Sequence, residues 1–74
     1  MISLETLSVG QTAKVLRFAG GGDITQRLLE MGVTPGVDIR LVGSAPLGDP
    51  LEFEVRGYRL CLRRSEAKKI EIQT

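Results

Sequence analysis

Histidine and tryptophan are absent from this 74-residue chain, cysteine occurs once, and Phe18, Phe53 and Tyr58 are its only aromatics. Each shortage excludes something. Without histidine the usual general base near neutral pH is missing. A zinc site would have to rely on Cys61 and carboxylates, far from the usual structural ligand sets. A lone cysteine forms no internal disulfide, which fits a reducing compartment. No apolar run is long enough for a transmembrane helix. Met1-Ile2-Ser3-Leu4-Glu5 lacks the basic start of a signal peptide. A formal net charge of +1 argues against a protein whose main task is coating nucleic acid. The few aromatics offer no stacking platform for single strands and no SH3-type groove for Pro-rich peptides. Serines and threonines are scattered without partners. The expectation is a soluble, cytosolic, non-enzymatic protein with no catalytic, cofactor-binding or metal-binding residue, and binding of a protein partner is the leading class of function.

What is present fits one small domain spanning 1–74, and the initial Met1 suggests a whole protein. A domain of this size buries only about 60% of its unfolded surface, so little room is left for a deep cleft.

The stretch from Arg27 to Pro50 organises the chain. Asp23 is a good N-cap for a helix, and Gln26 stands three residues on, where a capping-box partner belongs. Ile24, Leu28 and Met31 form one apolar stripe. Gly32 suits a C′ position of positive φ, and Pro35 stops the helix. Thr34-Pro35-Gly36-Val37 reads as a turn. After a short strand, Ser44-Ala45-Pro46-Leu47-Gly48-Asp49-Pro50 forms a stiff loop, because each proline fixes its own φ and extends the residue before it. Leu47 sits between the prolines with two readings open, a plug over the core or a partner contact.

The rest of the chain alternates. Ser3–Leu7 suggests a helical turn with Leu4 and Leu7 on one side. Thr12–Phe18 reads as a strand in which Val15 and Leu16 break strict alternation. Ala19-Gly20-Gly21-Gly22 before the helix lacks a P-loop pattern and reads as a flexible hairpin tip rather than a phosphate cradle. Val37–Val42 is a second strand. Leu51, Phe53 and Val55, then Tyr58, Leu60 and Leu62, predict a hairpin turning at Arg56-Gly57 with one wholly apolar face. On its other face Glu54 lies opposite Arg59. Arg64–Lys68 suggests a helical turn capped by Ser65, and Lys69–Gln73 a last strand. Glu52 and Glu54 could hold a hard cation with Asp49, although a solvated face paired with arginines is the plainer reading. Cys61 falls on that polar side and reads as a small filler. The basic residues between Arg56 and Lys69 are interleaved with acids, a pattern usual for solubility. Five short strands with small helices predict an all-β fold, a small five-stranded barrel that closes to protect its edges.

These residues resemble a known family. Arg27-Leu28-Leu29-Glu30-Met31-Gly32-Val33-Thr34-Pro35-Gly36 is similar to the R-L-x-x-[LM]-G-[ILVM]-x-P-G segment of the ferrous iron transport protein A (FeoA) family. Ala45-Pro46-Leu47-Gly48-Asp49-Pro50 resembles its A-P-x-G-D-P loop. Leu60-Cys61-Leu62-Arg63 and Ala67-Lys68-Lys69-Ile70 resemble its closing pattern. The resemblance implies an SH3-like β-barrel and an accessory of bacterial ferrous iron uptake. Its implied partner is the membrane ferrous iron permease with its cytosolic GTP-binding domain, reached without membrane insertion or nucleic acid. The protein would then be cytoplasmic, peripheral to the inner membrane through that partner. Candidate partner-binding residues are Arg27, Leu28, Met31, Pro35, Leu47, Asp49 and Pro50. Similar domains close metal-dependent repressors, so the alternative is a metal-responsive interaction module holding a divalent cation weakly. An exposed sheet edge leaves weak self-association open.

Overall fold

Alternating apolar residues build a five-stranded antiparallel sheet in the computed structural model, which describes residues 2–20 and 22–74. The strands are β1 (Thr12–Phe18), β2 (Asp38–Ser44), β3 (Leu51–Val55), β4 (Tyr58–Leu62) and β5 (Ile70–Gln73). Helix α1 (Asp23–Glu30) lies between β1 and β2, the single-turn helix α2 (Arg64–Ala67) between β4 and β5, and a 3-10 turn (Leu4–Thr6) precedes β1. The sheet order is β4-β3-β2-β1-β5. The glycine tract expected to form a floppy tip includes Gly21, which lies outside the described residues.

All five strands turn one face to a single core centred on Phe53, Ile39, Leu51, Leu62 and Ile70, each essentially inaccessible. Leu4 and Leu7 are buried in the same core, as their spacing predicts. Two bulges curl the sheet around it. Leu16 is extra between Val15↔Ile72 and Arg17↔Glu71, and Val42 is extra between Leu41↔Phe53 and Gly43↔Glu52. A bulge bends its strand and raises the local twist. The broken alternation at Val15-Leu16 therefore has its cause in the bulge, and Leu16 points to solvent.

The expected five-stranded barrel is closed by segments other than a strand ladder. Among the described residues no ladder joins β4 to β5. The chain crosses between them through α2, whose Ala67 is buried. The outer edge of β5 is instead met by the N-terminal segment, with a Ser3↔Glu71 bridge and the Ile72 N–H donating to the Ile2 carbonyl at 2.9 Å.

The hairpin has the expected register, Val55↔Tyr58, Phe53↔Leu60 and Leu51↔Leu62. Arg56 (φ 53°) and Gly57 (φ 85°) both take left-handed conformations, the requirement of a type I′ turn. The expected Glu54↔Arg59 register holds, but the charge pairing differs and one expected core residue is exposed. Glu54 stands opposite Arg59 but pairs with Arg40 at 2.8 Å, because β2 sets Arg40 beside it on the other flank. Arg59 reaches diagonally to Glu52 at 3.8 Å. Tyr58 does not complete the buried apolar face; it is 42% exposed.

The helix caps also differ. Gly22, at φ 87°, is the N-cap of α1, and Asp23 is the first helical residue, where its charge suits the helix dipole. The Gln26 amide donates to Glu30 rather than closing a capping box. Helix α2 begins one residue before Ser65, with Arg63 as N-cap and the Arg63 N–H donating to Glu66 Oε1 at 2.9 Å. Reach decides this: a carboxylate three residues on returns to the N-cap amide, as in a capping box.

Because a left-handed arginine costs roughly 1 kcal/mol that asparagine largely avoids, Arg56→Asn is expected to stabilise the fold by roughly 0.5–1 kcal/mol. Thermal unfolding followed by circular dichroism would show a raised midpoint, and an unchanged or lowered midpoint would contradict the turn assignment.

Candidate partner-docking surface

The apolar stripe of α1 decides which of its residues reach the surface. Leu28 is 1% exposed and belongs to the core, so among the expected contact residues it offers no surface to a partner. Met31 packs against the core but stays partly accessible. Arg27, one position from the stripe, reaches across to Glu66 on α2 and forms an ion pair. The helix ends at Gly32 (φ 89°) for two reasons. The backbone there is left-handed, and the Tyr58 hydroxyl occupies the space a Cβ would fill while donating to the Met31 carbonyl.

The Pro/Gly loop is fixed from within and from outside. The Ala45 N–H donates to the Pro50 carbonyl at 3.0 Å, and the Gly48 N–H to the Ala45 carbonyl at 2.8 Å. The Asp49-Pro50 peptide bond is cis. Asp49 Oδ1 accepts the Arg64 N–H at 2.8 Å, supplying from a distant loop the carboxylate that the first turn of α2 needs. Arg64 returns the contact, its Nε donating to the Gly48 carbonyl at 2.6 Å. Held in this way, the loop presents Leu47 at 97% exposure, so Leu47 plugs nothing.

An open depression of about 380 Å³ lies beside this loop, lined by Arg27, Met31, Pro50, Cys61, Arg63 and Glu66. Of the expected contact residues, Arg27, Met31 and Pro50 come together here, and Leu47 and Asp49 belong to the loop that ends at Pro50. Pro35 is exposed in the turn before β2 and does not line the depression. Sequence reasoning missed Tyr58, Arg64 and Glu66, whose roles depend on contacts 15–39 residues away in the chain. The carboxylates considered for a cation are dispersed: Asp49 is bonded to Arg64, Glu52 faces Arg59, and Glu54 faces Arg40. Among the described residues no three His, Cys, Asp or Glu side chains converge as a metal site requires.

A small curled five-stranded sheet with a loop anchored by Asp49 and Arg64 places the chain among SH3-like folds. The family model for the FeoA domain matches residues 2–74, and this chain belongs to the FeoA family, whose members are non-enzymatic accessory proteins. It is 40% identical over 70 residues to the Fe(2+) transport protein A/Fe(2+) transporter FeoB fusion protein of Porphyromonas gingivalis, covering 95% of this chain and 8% of that protein. The iron(II) transport protein A of Clostridium thermocellum matches with a TM-score of 0.92 at 35% identity, over 97% of this chain and 44% of that one. The FeoA of Stenotrophomonas maltophilia, a procaryotic SH3 domain protein solved in complex with zinc, matches with a TM-score of 0.87 at 31% identity, over 99% and 91% of the two chains. The chain thus spans a small part of the curated fusion protein and under half of the first of these structures. Among the described residues, no helix is long and apolar enough to cross a membrane.

Removing the distant cap tests the loop's anchorage. Asp49→Ala is expected to lower stability by roughly 0.5–2 kcal/mol, and Asp49→Asn by much less, because an amide oxygen still accepts the Arg64 N–H. Chemical denaturation would contradict the anchorage if both variants unfolded like the parent.

Proposed function

We propose that this chain is a regulatory accessory of ferrous iron uptake that docks on a membrane iron permease through the anchored loop and the adjoining depression. The observation that carries this reading is the Porphyromonas gingivalis relative, in which a related domain shares one polypeptide with the Fe(2+) transporter FeoB. A tether of that kind holds two modules at an effective concentration on the order of millimolar. It is useful where one module acts on the other. An unfused chain would meet the same partner by diffusion, and would work beside the membrane through that partner rather than by insertion.

The geometry suits docking. A loop fixed by Asp49 and Arg64 loses little conformational freedom on binding, and preorganisation of this kind favours affinity. Leu47 supplies an exposed apolar anchor, and Arg27, Met31 and Pro50 supply the adjoining wall. The contact residues of the proposal are therefore Arg27, Met31, Leu47, Asp49 and Pro50. The permease's cytosolic GTP-binding domain is the accessible target for a module without a membrane span.

A second reading, weak divalent-cation binding, is favoured by the zinc complex of the Stenotrophomonas maltophilia relative. The two separate cleanly. Titration of the labelled chain with zinc alone would show saturable shifts under the second reading and none under the first.

The isotope-labelled chain, titrated with the GTP-binding domain with and without nucleotide, is expected to show saturable shifts at the Leu47 loop and the end of α1. Leu47→Asp is expected to weaken that binding at least about tenfold, or roughly 1.4 kcal/mol, with an unchanged melting midpoint. Absence of shifts at high concentration, or full affinity in the variant, would overturn the docking surface.

A further inference from the structure

Strand β4 ends the sheet, and its outer edge has hydrogen-bonding capacity left over. Val55 and Tyr58 flank a two-residue turn, so they form a mutually hydrogen-bonded pair, as do Phe53↔Leu60 and Leu51↔Leu62. The main-chain groups of Arg59 and Cys61 therefore point away from β3. Among the described residues, neither takes part in a backbone bond to another element or in a side-chain bond. Natural edges are usually blunted or covered, and an open one is a template for a further strand.

We propose that β4 accepts an extended acidic segment as a sixth strand, laid between this edge and the last turn of α1. This rests on the docking reading for its choice of face, and it adds the mode of contact and the chemistry of the segment. The depression beside Pro50 supplies the seat: Cys61 and Arg63 line it from the β4 side, Arg27 and Met31 from α1, and Glu66 from α2, its carboxylate already engaged by Arg27 and the Arg63 N–H. Main-chain bonds to the edge would give affinity, and alternate side chains specificity.

Charge selects the occupant. Arg59 and Cys61 share the outward face of β4, Arg63 follows in extended conformation one residue past its end, and all three are exposed. Arg59 has only the distant Glu52 as counter-ion, and among the described residues Arg63 has none. Acidic side chains four residues apart on an added strand would stand opposite both arginines, with a small or apolar residue opposite Cys61. The sheet already shows this preference on the other flank, where β4 pairs with Leu51-Glu52-Phe53-Glu54-Val55. A second copy of this chain is a poor occupant, because an antiparallel β4 centred on Cys61 would set Arg59 opposite the second copy's Arg63, and again in reverse. Like charges directly opposite are destabilising.

The test uses the labelled full chain and blocked synthetic peptides of repeating glutamate-valine-alanine-valine, of repeating lysine-valine-alanine-valine, and of the glutamate repeat with every residue N-methylated. The glutamate peptide is expected to shift the Arg59 and Cys61 amides saturably and to slow their hydrogen exchange. The lysine and N-methylated peptides are expected to bind at least tenfold more weakly, and R59Q/R63Q, its native fold checked by its amide spectrum, to lose the glutamate peptide. Equal response to the N-methylated peptide, or no saturable shift at millimolar peptide, would overturn strand addition. Concentration-dependent protection of these amides in the chain alone would identify a second copy as the occupant and overturn the acidic one. Peptide binding without permease binding would defeat the docking reading only. Permease binding that leaves the Cys61 amide exchanging freely would defeat strand addition only.

Discussion

The bond from the Arg64 amide to the Asp49 carboxylate joins two parts of the molecule that the chain leaves 15 residues apart. Without it the Arg64 N–H in the first turn of α2 would lack an acceptor, and the Pro/Gly loop would keep a single tie to α2. Arg64 strengthens the joint by gripping the Gly48 carbonyl. Helix α2 in turn carries Glu66, which holds Arg27 at the end of α1. Two carboxylates, Asp49 and Glu66, thus link loop, α2 and α1 into a single surface, and that surface presents the fully exposed Leu47 of the anchored loop.

The sheet sets the distances over which this linkage works. Bulges at Leu16 and Val42 curl five short strands around a core in which Phe53 is fully enclosed. A strand ladder does not complete the curl; α2 and the N-terminal segment close the ends. An enclosed core combined with an incomplete ladder explains how so small a module can be stable and still keep a usable edge. Its surface chemistry follows: paired acids and bases on the outer face, and two under-compensated arginines on β4 and just past its end.

Much of this was legible in the residues. The hairpin from Leu51 to Leu62 was readable because a period of two fixes both face and register, and a slip of one residue would bury charge. The stripe Ile24, Leu28, Met31 and the stop at Gly32 were readable for the same reason at helical period. What escaped was non-local. Tyr58 alternates like a core residue, and only the arrival of α1 over the end of the hairpin draws its hydroxyl to the Met31 carbonyl. Asp49 reads in sequence as a surface residue of the Pro/Gly loop, whereas its partner lies on another element. Ser65 has the composition of a cap, yet the helix starts earlier because Glu66 returns to the Arg63 amide. Leu28 matched a family pattern and an apolar stripe at once, and burial assigns it to the core. Motif resemblance located the right stretch; it did not separate residues that shape the surface from residues that form it.

The central claim is that the anchored loop meets the iron permease face to face. Its most direct test is photo-crosslinking in membranes containing the full-length permease, with a photoreactive side chain placed in turn at Leu47, at Cys61 and at Pro35. Crosslinks to the permease's GTP-binding domain from Leu47 and Cys61, and none from Pro35, are the predicted result. Crosslinks from Pro35 alone, or none from any of the three while the two proteins still co-purify, would contradict it.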